Sequence, residues 1–139
     1  MKQTLEFASH PGNLSMMRDY VRAFLATTSF TDLESDLMVL GIDEACTNII
    51  RYAYDHEVEN PIVLTCEKSD TSVTFRLRDH GRQCDPSTLQ SRSLDEVKPG
   101  GLGLHLIRRA FDKVDFVLQD EGTELLLQKG FTSVNTQKK

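Results

Sequence analysis

A carboxylate and an amide stand four residues apart in GIDEACTNIIRYAY, the stretch at residues 41–54. The stretch has a helical pattern, so Glu44 and Asn48 are expected one turn apart, about 40° from each other around the helix axis. A carboxylate can orient or deprotonate a hydroxyl group, and an amide oxygen can hold a hard cation such as Mg²⁺. Amphipathic helices also carry solvated polar faces. The helix alone therefore leaves a site and a solvated face equally open.

The neighbours of Glu44 and Asn48 count against a purely solvated face. Leu37, Leu40 and Gly41 share their side of the helix. Gly41 costs a helix about 1 kcal/mol relative to Ala, which is consistent with something approaching the backbone there. The opposite stripe is predicted to pack on a sheet, and it consists of Met38, Ile42, Ala45, Cys46, Ile49 and Ala53.

A second candidate is the carboxylate of Asp79, which ends a predicted strand in RLRDHGRQCDP, residues 76–86. An Asp at this position is commonly a turn residue. It can also be a fixed acceptor for an amino group, with Gly81 leaving a flat ligand room against the backbone. Asp-x-Gly alone does not decide between the two.

A third candidate is PGGLGLHLI at residues 99–107, where Gly100, Gly101 and Gly103 lead into a predicted helix. Backbone N–H groups at a helix N-terminus can bind phosphate oxygens, and the helix dipole favours this. A flexible hinge is the alternative, and the two are compatible. The spacing matches neither GxxxxGK[ST] nor GxGxxG. A fourth segment, Gly122 and Thr123 before the last strand, is by itself only a turn.

Hydrophobic periodicity predicts the elements that must position these residues, in the order β-α-α-β-β-loop-α-β-β. A strand is expected at 4–8, a helix at 14–28, and a second helix from the capping box of Thr31 and Glu34 to about His56. The later elements are a hairpin of two strands, a polar loop at 81–100, a helix on Leu104, Ile107 and Phe111, and two final strands. A loop of this length in a compact domain is usually functional or mobile. The pattern favours a two-layer α+β sandwich with helices covering one face of the sheet.

Composition limits the function classes. The chain has 139 residues, which suits one domain at 1–131 with a polar tail at 132–139. The net charge is -5, and no basic run is longer than a pair such as Lys138–Lys139, so nucleic-acid binding is not expected. No apolar run suits a membrane span, and MKQTLEFASHPGN lacks the apolar segment of a signal peptide. The three cysteines are far apart and show neither disulfide nor zinc-site spacing, so a reducing cytoplasm is expected. The histidines show no metal-ligand spacing.

The four segments occur in a distinctive order: Glu-x-x-x-Asn on a helix, Asp-x-Gly after a strand, GGLGL before a helix and GTxL before a strand. This order resembles the GHKL ATP-binding superfamily, the fold of histidine kinases, Hsp90 and gyrase. The closer resemblance, carried by DEACTNIIRYAY and GGLGLHLI, is to the small bacterial anti-sigma-factor serine kinases. It implies a Bergerat-type fold with a mixed, mostly antiparallel sheet.

The resemblance also implies roles for individual residues. Asn48 would hold Mg²⁺ between the phosphates of ATP, and Glu44 would be the general base. Asp79 would accept a hydrogen bond from the adenine amino group, with Gly81 keeping that pocket open and Thr123 seating the adenine end. The segment 81–100 would be a lid, and the phosphates would lie against the Gly-rich turn of Gly100, Gly101, Leu102, Gly103 and Leu104.

Two positions depart from the superfamily pattern. Gln83 stands where DxGxG has its second glycine, a departure that many of the small serine kinases share. Cys84 stands where an aromatic residue often precedes Asp-Pro, which could alter adenine-pocket or lid packing.

The implied function is a protein-serine kinase that phosphorylates a small anti-sigma-factor antagonist in a partner-switching pathway. A sigma factor or similar regulator would be the second partner, and a homodimer is expected. The alternative is a nucleotide-gated binding module that transfers no phosphate. Glu44 argues against that alternative, because a module that only binds needs no base.

Overall fold

The computed structural model describes residues 1–83 and 103–131. Its elements follow the predicted order within these ranges. They are β1 (Lys2–Ala8), a 3₁₀ turn (Pro11–Asn13), α1 (Leu14–Leu25), α2 (Asp32–Asn48), a π-helical segment (Ile49–Ala53), β2 (Pro61–Lys68), β3 (Ser72–Asp79), α3 (Leu104–Ala110), β4 (Lys113–Leu118) and β5 (Thr123–Gly130).

The five strands form one sheet in the order β1-β2-β3-β5-β4. The implied sheet was mixed and mostly antiparallel, whereas every described strand pair is antiparallel. The reason is that β5 returns between β3 and β4, which leaves no parallel strands adjacent. At one end of the sheet, Asp79 of β3 pairs with Thr123 of β5.

The core lies between the sheet and the helices, as the two-layer prediction requires. Alternate residues of β2 and β3 are buried, namely Ile62, Leu64, Cys66, Val73, Phe75 and Leu77. The ring of Phe75 meets Phe24 of α1 edge-on at 5.7 Å and Phe111, just after α3, at 5.9 Å. Such edge-to-face contacts add to the free energy gained from burying the rings.

Helix α1 ends at Leu25, before the predicted end at residue 28. The hydroxyl groups of Thr27 and Thr28 donate to the carbonyl oxygens of Phe24 and Leu25 at 2.7 and 2.6 Å. These bonds satisfy carbonyl groups that lack an intrahelical partner at a helix end. Periodicity cannot locate such an end, because the threonines continue the polar face of the helix.

Helix α2 begins at the predicted capping box, in which Thr31 and Glu34 exchange side-chain and backbone hydrogen bonds. The predicted end near His56 was wrong, because the α-helix stops at Asn48 and a π-helical segment follows. In that segment the N–H of Tyr54 donates to the carbonyl of Ile49, five residues earlier, at 2.9 Å. Such wider turns are often found at functional sites.

Gly41 allows close contact between α2 and α3. A Cβ atom on Gly41 would lie 3.2 Å from the ring of Phe111 and 3.3 Å from the Cβ of Ala110. The group that approaches the backbone at Gly41 is therefore the third helix. The side of α2 that carries Gly41 is thus partly covered, while Leu40 remains 47% exposed.

Cys46 and Cys66 are buried free thiols. Burial raises the pKa of the Cys66 thiol to about 12. In the described part of the chain no group of His, Cys, Asp and Glu could hold a metal ion, and no helix has the length and hydropathy to cross a membrane.

Candidate functional site

A cleft opens between the C-terminal end of α2, helix α3 and the sheet. Its empty volume, with the open solvent at its mouth included, is about 610 Å³. The apolar part of its wall consists of Ala45, Ile49, Ala53, Leu104, Ile107, Phe116 and Leu125. Its polar groups include Asn48, Asp79 and Thr123, which come from α2, β3 and β5. Apolar walls with a few placed polar groups are typical of small-molecule sites.

Asp79 is a buried carboxylate at the sheet side of this cleft. Its side chain is 4% exposed, and its Oδ1 accepts a hydrogen bond from the N–H of Gly81 at 2.9 Å. Burial raises the pKa of Asp79, while hydrogen bonds from the backbone of Gly81 and Thr123 and the charges of Arg78 and His80 act against that rise. A fixed acceptor beside apolar walls suits an amino group on a flat ligand.

The segment after Asp79 is fastened to the end of the second helix. A Cβ atom on Gly81 would overlap the backbone of Ala53, and the N–H of Arg82 donates to the carbonyl of Ala53 at 2.7 Å. The hydroxyl of Tyr54 accepts from the N–H of His80 at 2.8 Å. The missing side chain of Gly81 therefore allows two parts of the chain to touch. Its role toward a ligand stays a prediction.

Asn48 lines the cleft from the end of α2, and Glu44 precedes it on the same helix without being one of the lining residues. Asn48 is the last residue of α2, and its Oδ1 is shielded from solvent. Glu44 is one turn earlier and half-buried. Burial raises the pKa of Glu44, Asp43 raises it further, and Arg51 lowers it. Asp43 itself forms an ion pair with Arg18 of α1 at 2.9 Å.

Gly103 lies against Glu44 at the start of α3. Its φ of 66° is in the left-handed region that glycine adopts readily. A Cβ atom on Gly103 would be 2.6 Å from Oε2 of Glu44, so the two residues are in close contact. The next residue, Leu104, is 1% exposed and lines the cleft. Gly100, Gly101, Leu102, Cys84 and the 84–100 part of the expected lid lie outside the described residues.

Gln83 also belongs to the surroundings of the cleft. Its Nε2 donates to the carbonyl oxygens of Gln119 and Gly122, each at 2.6 Å. These carbonyls lie in the turn between β4 and β5, just before Thr123. Sequence reasoning treated Gln83 only as a departure from a pattern, because nothing local indicates a partner 36 residues away.

Sequence reasoning also missed several residues that line the cleft, namely Tyr52, Arg82 and Phe116. Arg82 directly follows Gly81, so its place in the Asp-x-Gly segment was a usable signal. Phe116 offered none beyond strand alternation, since alternation does not say which element covers a strand.

Comparison with known proteins adds to this geometry. The family model described as the histidine kinase-like ATPase domain matches residues 7–129. The serine-protein kinase RsbW of Bacillus thuringiensis (strain Al Hakam) is 32% identical over 109 residues, which cover 73% of this chain and 66% of that protein. RsbW of Bacillus mycoides (strain KBAB4) is 29% identical with the same coverage. This chain thus spans just under two thirds of the length of these relatives.

A solved structure also matches. It contains the RsbU and RsbW domains of Rv1364c from Mycobacterium tuberculosis, and it aligns with a TM-score of 0.68 at 16% sequence identity. The alignment covers 93% of this chain and 32% of that one. At this identity the likeness concerns the fold.

Proposed function

The chain belongs to the histidine kinase-like ATPase family of the GHKL superfamily, and we propose that it is an ATP-dependent protein-serine kinase. The observation that carries the proposal is that one cleft gathers Asn48, Asp79 and Thr123, with Glu44 one helical turn from Asn48. The relatives named serine-protein kinase RsbW support the same activity.

Adenine would occupy the part of the cleft that Asp79 and Thr123 line. The Asp79 carboxylate would accept a hydrogen bond from the exocyclic amino group of the base. Guanine presents a carbonyl oxygen at that position, so two acceptors would face each other. The apolar walls would exclude water from the two faces of the base.

The residues present fit a magnesium ion at the phosphate end. Asn48 offers a neutral amide oxygen, and Mg²⁺ commonly keeps several waters while taking few protein oxygens. A bound Mg²⁺ would neutralise negative charge on the ATP phosphates. Asn48 would hold the ion from the last turn of α2, where the amide is shielded by the cleft wall.

Glu44 would act on the incoming hydroxyl. One helical turn separates side chains by about 5–6 Å, a spacing that suits a metal ligand beside a base. Glu44 would orient the serine hydroxyl and take its proton as the oxygen bonds to the γ-phosphorus, while the bond to the β–γ bridging oxygen breaks. Phosphoryl transfer needs mainly such positioning and charge neutralisation.

The proposed substrate is a small anti-sigma-factor antagonist in a partner-switching pathway. The proposed second partner is a sigma factor, held in a nucleotide-dependent way by a homodimer of this chain. The net charge of -5 and the lack of a basic cluster in the sequence are consistent with regulation through proteins rather than through DNA.

Incubation with labelled ATP-Mg and the antagonist proteins encoded nearby tests the proposal. We expect label to appear on a serine of one antagonist, and to appear about 10²-fold or more slowly with Glu44→Gln. If ATP binds tightly and no antagonist is labelled at any enzyme concentration, the kinase assignment is wrong and a nucleotide-gated binding module replaces it.

A further inference from the structure

Gln83 makes two hydrogen bonds that a glycine at the same position could not make. Its Nε2 lies 2.6 Å from the carbonyl oxygens of both Gln119 and Gly122. A side-chain amide nitrogen carries two hydrogens, so it can donate to both carbonyls at once. Gln83 therefore joins the segment after β3 to the turn between β4 and β5.

That turn is in tight contact with Asp79. Gly122 has a φ of 80°, and a Cβ atom on it would overlap the backbone of Asp79 and approach the Cα of His80 to 2.5 Å. The following residue, Thr123, is the register partner of Asp79 in the sheet. A displacement of the turn would therefore change the distance between Thr123 and Asp79.

The segment after Asp79 is held on its other side by the π-helical segment that follows α2 and by Tyr54 at its end. His80 donates its N–H to the hydroxyl of Tyr54, and Arg82 donates to the carbonyls of Ala53 and Tyr52. Gln83 thus extends an attachment that begins on the helix across to the β4–β5 turn. The π-helical segment, residues 80–83 and the β4–β5 turn are thus connected through hydrogen bonds.

We propose that Gln83 is a positioning residue for the nucleotide base, which acts by holding the 119–122 turn so that Thr123 and Asp79 keep a fixed separation. The proposal rests on the ATP binding proposed above and adds a residue to its adenine end. It also gives a function to the departure from DxGxG. The side chain of Gln83 makes hydrogen bonds to the 119–122 turn, and a glycine at this position has no side chain to make them.

Calorimetric binding of ATP-Mg and of magnesium tripolyphosphate, which lacks the base, tests this role with the whole chain. Gln83→Ala should weaken ATP binding about tenfold, the size expected for lost hydrogen bonds, and should change tripolyphosphate binding less than about twofold. Gln83→Glu keeps the size but places acceptors against two carbonyls, so it should weaken ATP binding at least as much. Gln119→Ala is the matched control, because its backbone carbonyl remains; its ATP affinity should be that of the wild type.

Hydrogen exchange supplies a second readout. The backbone amide hydrogen of Thr123 should exchange faster in Gln83→Ala than in Gln119→Ala. Thermal melting curves are used to check that both variants are folded. Wild-type ATP affinity in both Gln83 variants would overturn the positioning role, and so would equal losses for ATP and tripolyphosphate. Failure of the wild type to bind ATP is a separate result, which would overturn the proposed function itself.

Discussion

The side chain of Glu44 lies against the α-carbon of Gly103, in the space that a Cβ atom on that glycine would take. Glu44 belongs to α2 and Gly103 directly precedes α3. The start of one helix thus limits the positions open to the carboxylate on the other. This contact links the proposed base to the end of the Gly-rich segment.

Gly103→Ala should therefore displace Glu44 and lower phosphorylation of the antagonist by about tenfold or more. The alanine also costs about 1–2 kcal/mol at a left-handed φ, so melting temperature must be measured alongside. The double variant should be about as slow as Glu44→Gln alone, because both changes affect one step. His105→Ala, at an exposed position of α3, is the control. Rate losses that multiply in the double variant would contradict this coupling.

Glu44→Gln should keep ATP affinity within a few-fold while phosphorylation falls by about 10²-fold or more, the usual size of a general-base contribution. The measurements are calorimetric ATP binding and single-turnover phosphorylation, with Glu59→Gln, at an exposed position, as the control.

The phosphorylation rate should also depend on pH. Burial raises the pKa of Glu44, and Glu44 must be deprotonated to act as the base. The wild-type rate should therefore fall as pH drops through that raised pKa, and the glutamine variant should lack this fall. An unchanged rate in the variant would remove Glu44 from the mechanism.

Asp79→Asn should weaken ATP binding by about 1–3 kcal/mol, the typical cost of leaving a buried polar group unpaired. The wild type should prefer ATP and ADP over GTP, and the variant should lose that preference. Competition calorimetry with the three nucleotides measures both. Equal ATP and GTP affinities in the wild type would show that Asp79 does not contact the amino group.

The same variant should be more stable than the wild type at neutral pH. Burial raises the pKa of Asp79 in the folded chain above its unfolded value, so its contribution to stability is complete below the unfolded pKa. That contribution is lost as pH rises through the folded pKa. Asparagine cannot ionise, so the gain in melting temperature should be largest at neutral pH and should shrink toward pH 4. Exposed Asp70→Asn should show no such trend.

Asn48→Ala should remove most of the Mg²⁺-dependent tightening of ATP binding. The measurement is ATP affinity with Mg²⁺ and with EDTA, for the variant and for Asn13→Ala at the start of α1. The control should respond to EDTA as the wild type does. If neither EDTA nor Asn48→Ala changes ATP affinity, the metal role of Asn48 is wrong.

Tyr54→Phe should destabilise the fold and loosen the Asp79 segment. The hydroxyl accepts from the N–H of His80 and donates to the carbonyl of Pro61. Both backbone groups would lose a partner at a partly buried place, at about 1 kcal/mol of unfolding free energy for each hydrogen bond. Chemical denaturation measures the loss, and ATP affinity should fall with it. Tyr20→Phe is the matched control, and a similar loss there would argue against a special role for Tyr54.

The sequence predicted local features well where a local signal exists. The Thr31–Glu34 capping box marked the start of α2, and strand alternation identified the buried residues of β2 and β3. The end of α2 was missed, because a change from α- to π-helical hydrogen bonding leaves the apolar spacing almost unaltered. The approach to Gly41 was predicted without its partner, since α3 lies more than 60 residues away in the chain.

In the candidate site, too, the sequence predicted single residues but not their partners from distant parts of the chain. The positions of Glu44, Asn48 and Asp79 followed from their motifs, but their arrangement depends on strand order. Asp79 meets Thr123 only because β5 pairs with β3, a pairing that no short stretch of sequence contains. For the same reason the partners of Gln83 and Tyr54 could not be predicted.

The place of β3 and β5 inside the sheet has a consequence for the lifetime of the protein. Asp79 ends β3 and Thr123 begins β5, and each of these strands is flanked on both sides, so a nucleotide bound there would stabilise the central part of the sheet. Ligand present at 100 times its dissociation constant adds about 2.7 kcal/mol against unfolding. Bound ATP would then slow degradation of the domain by proteases, which act on the opened chain.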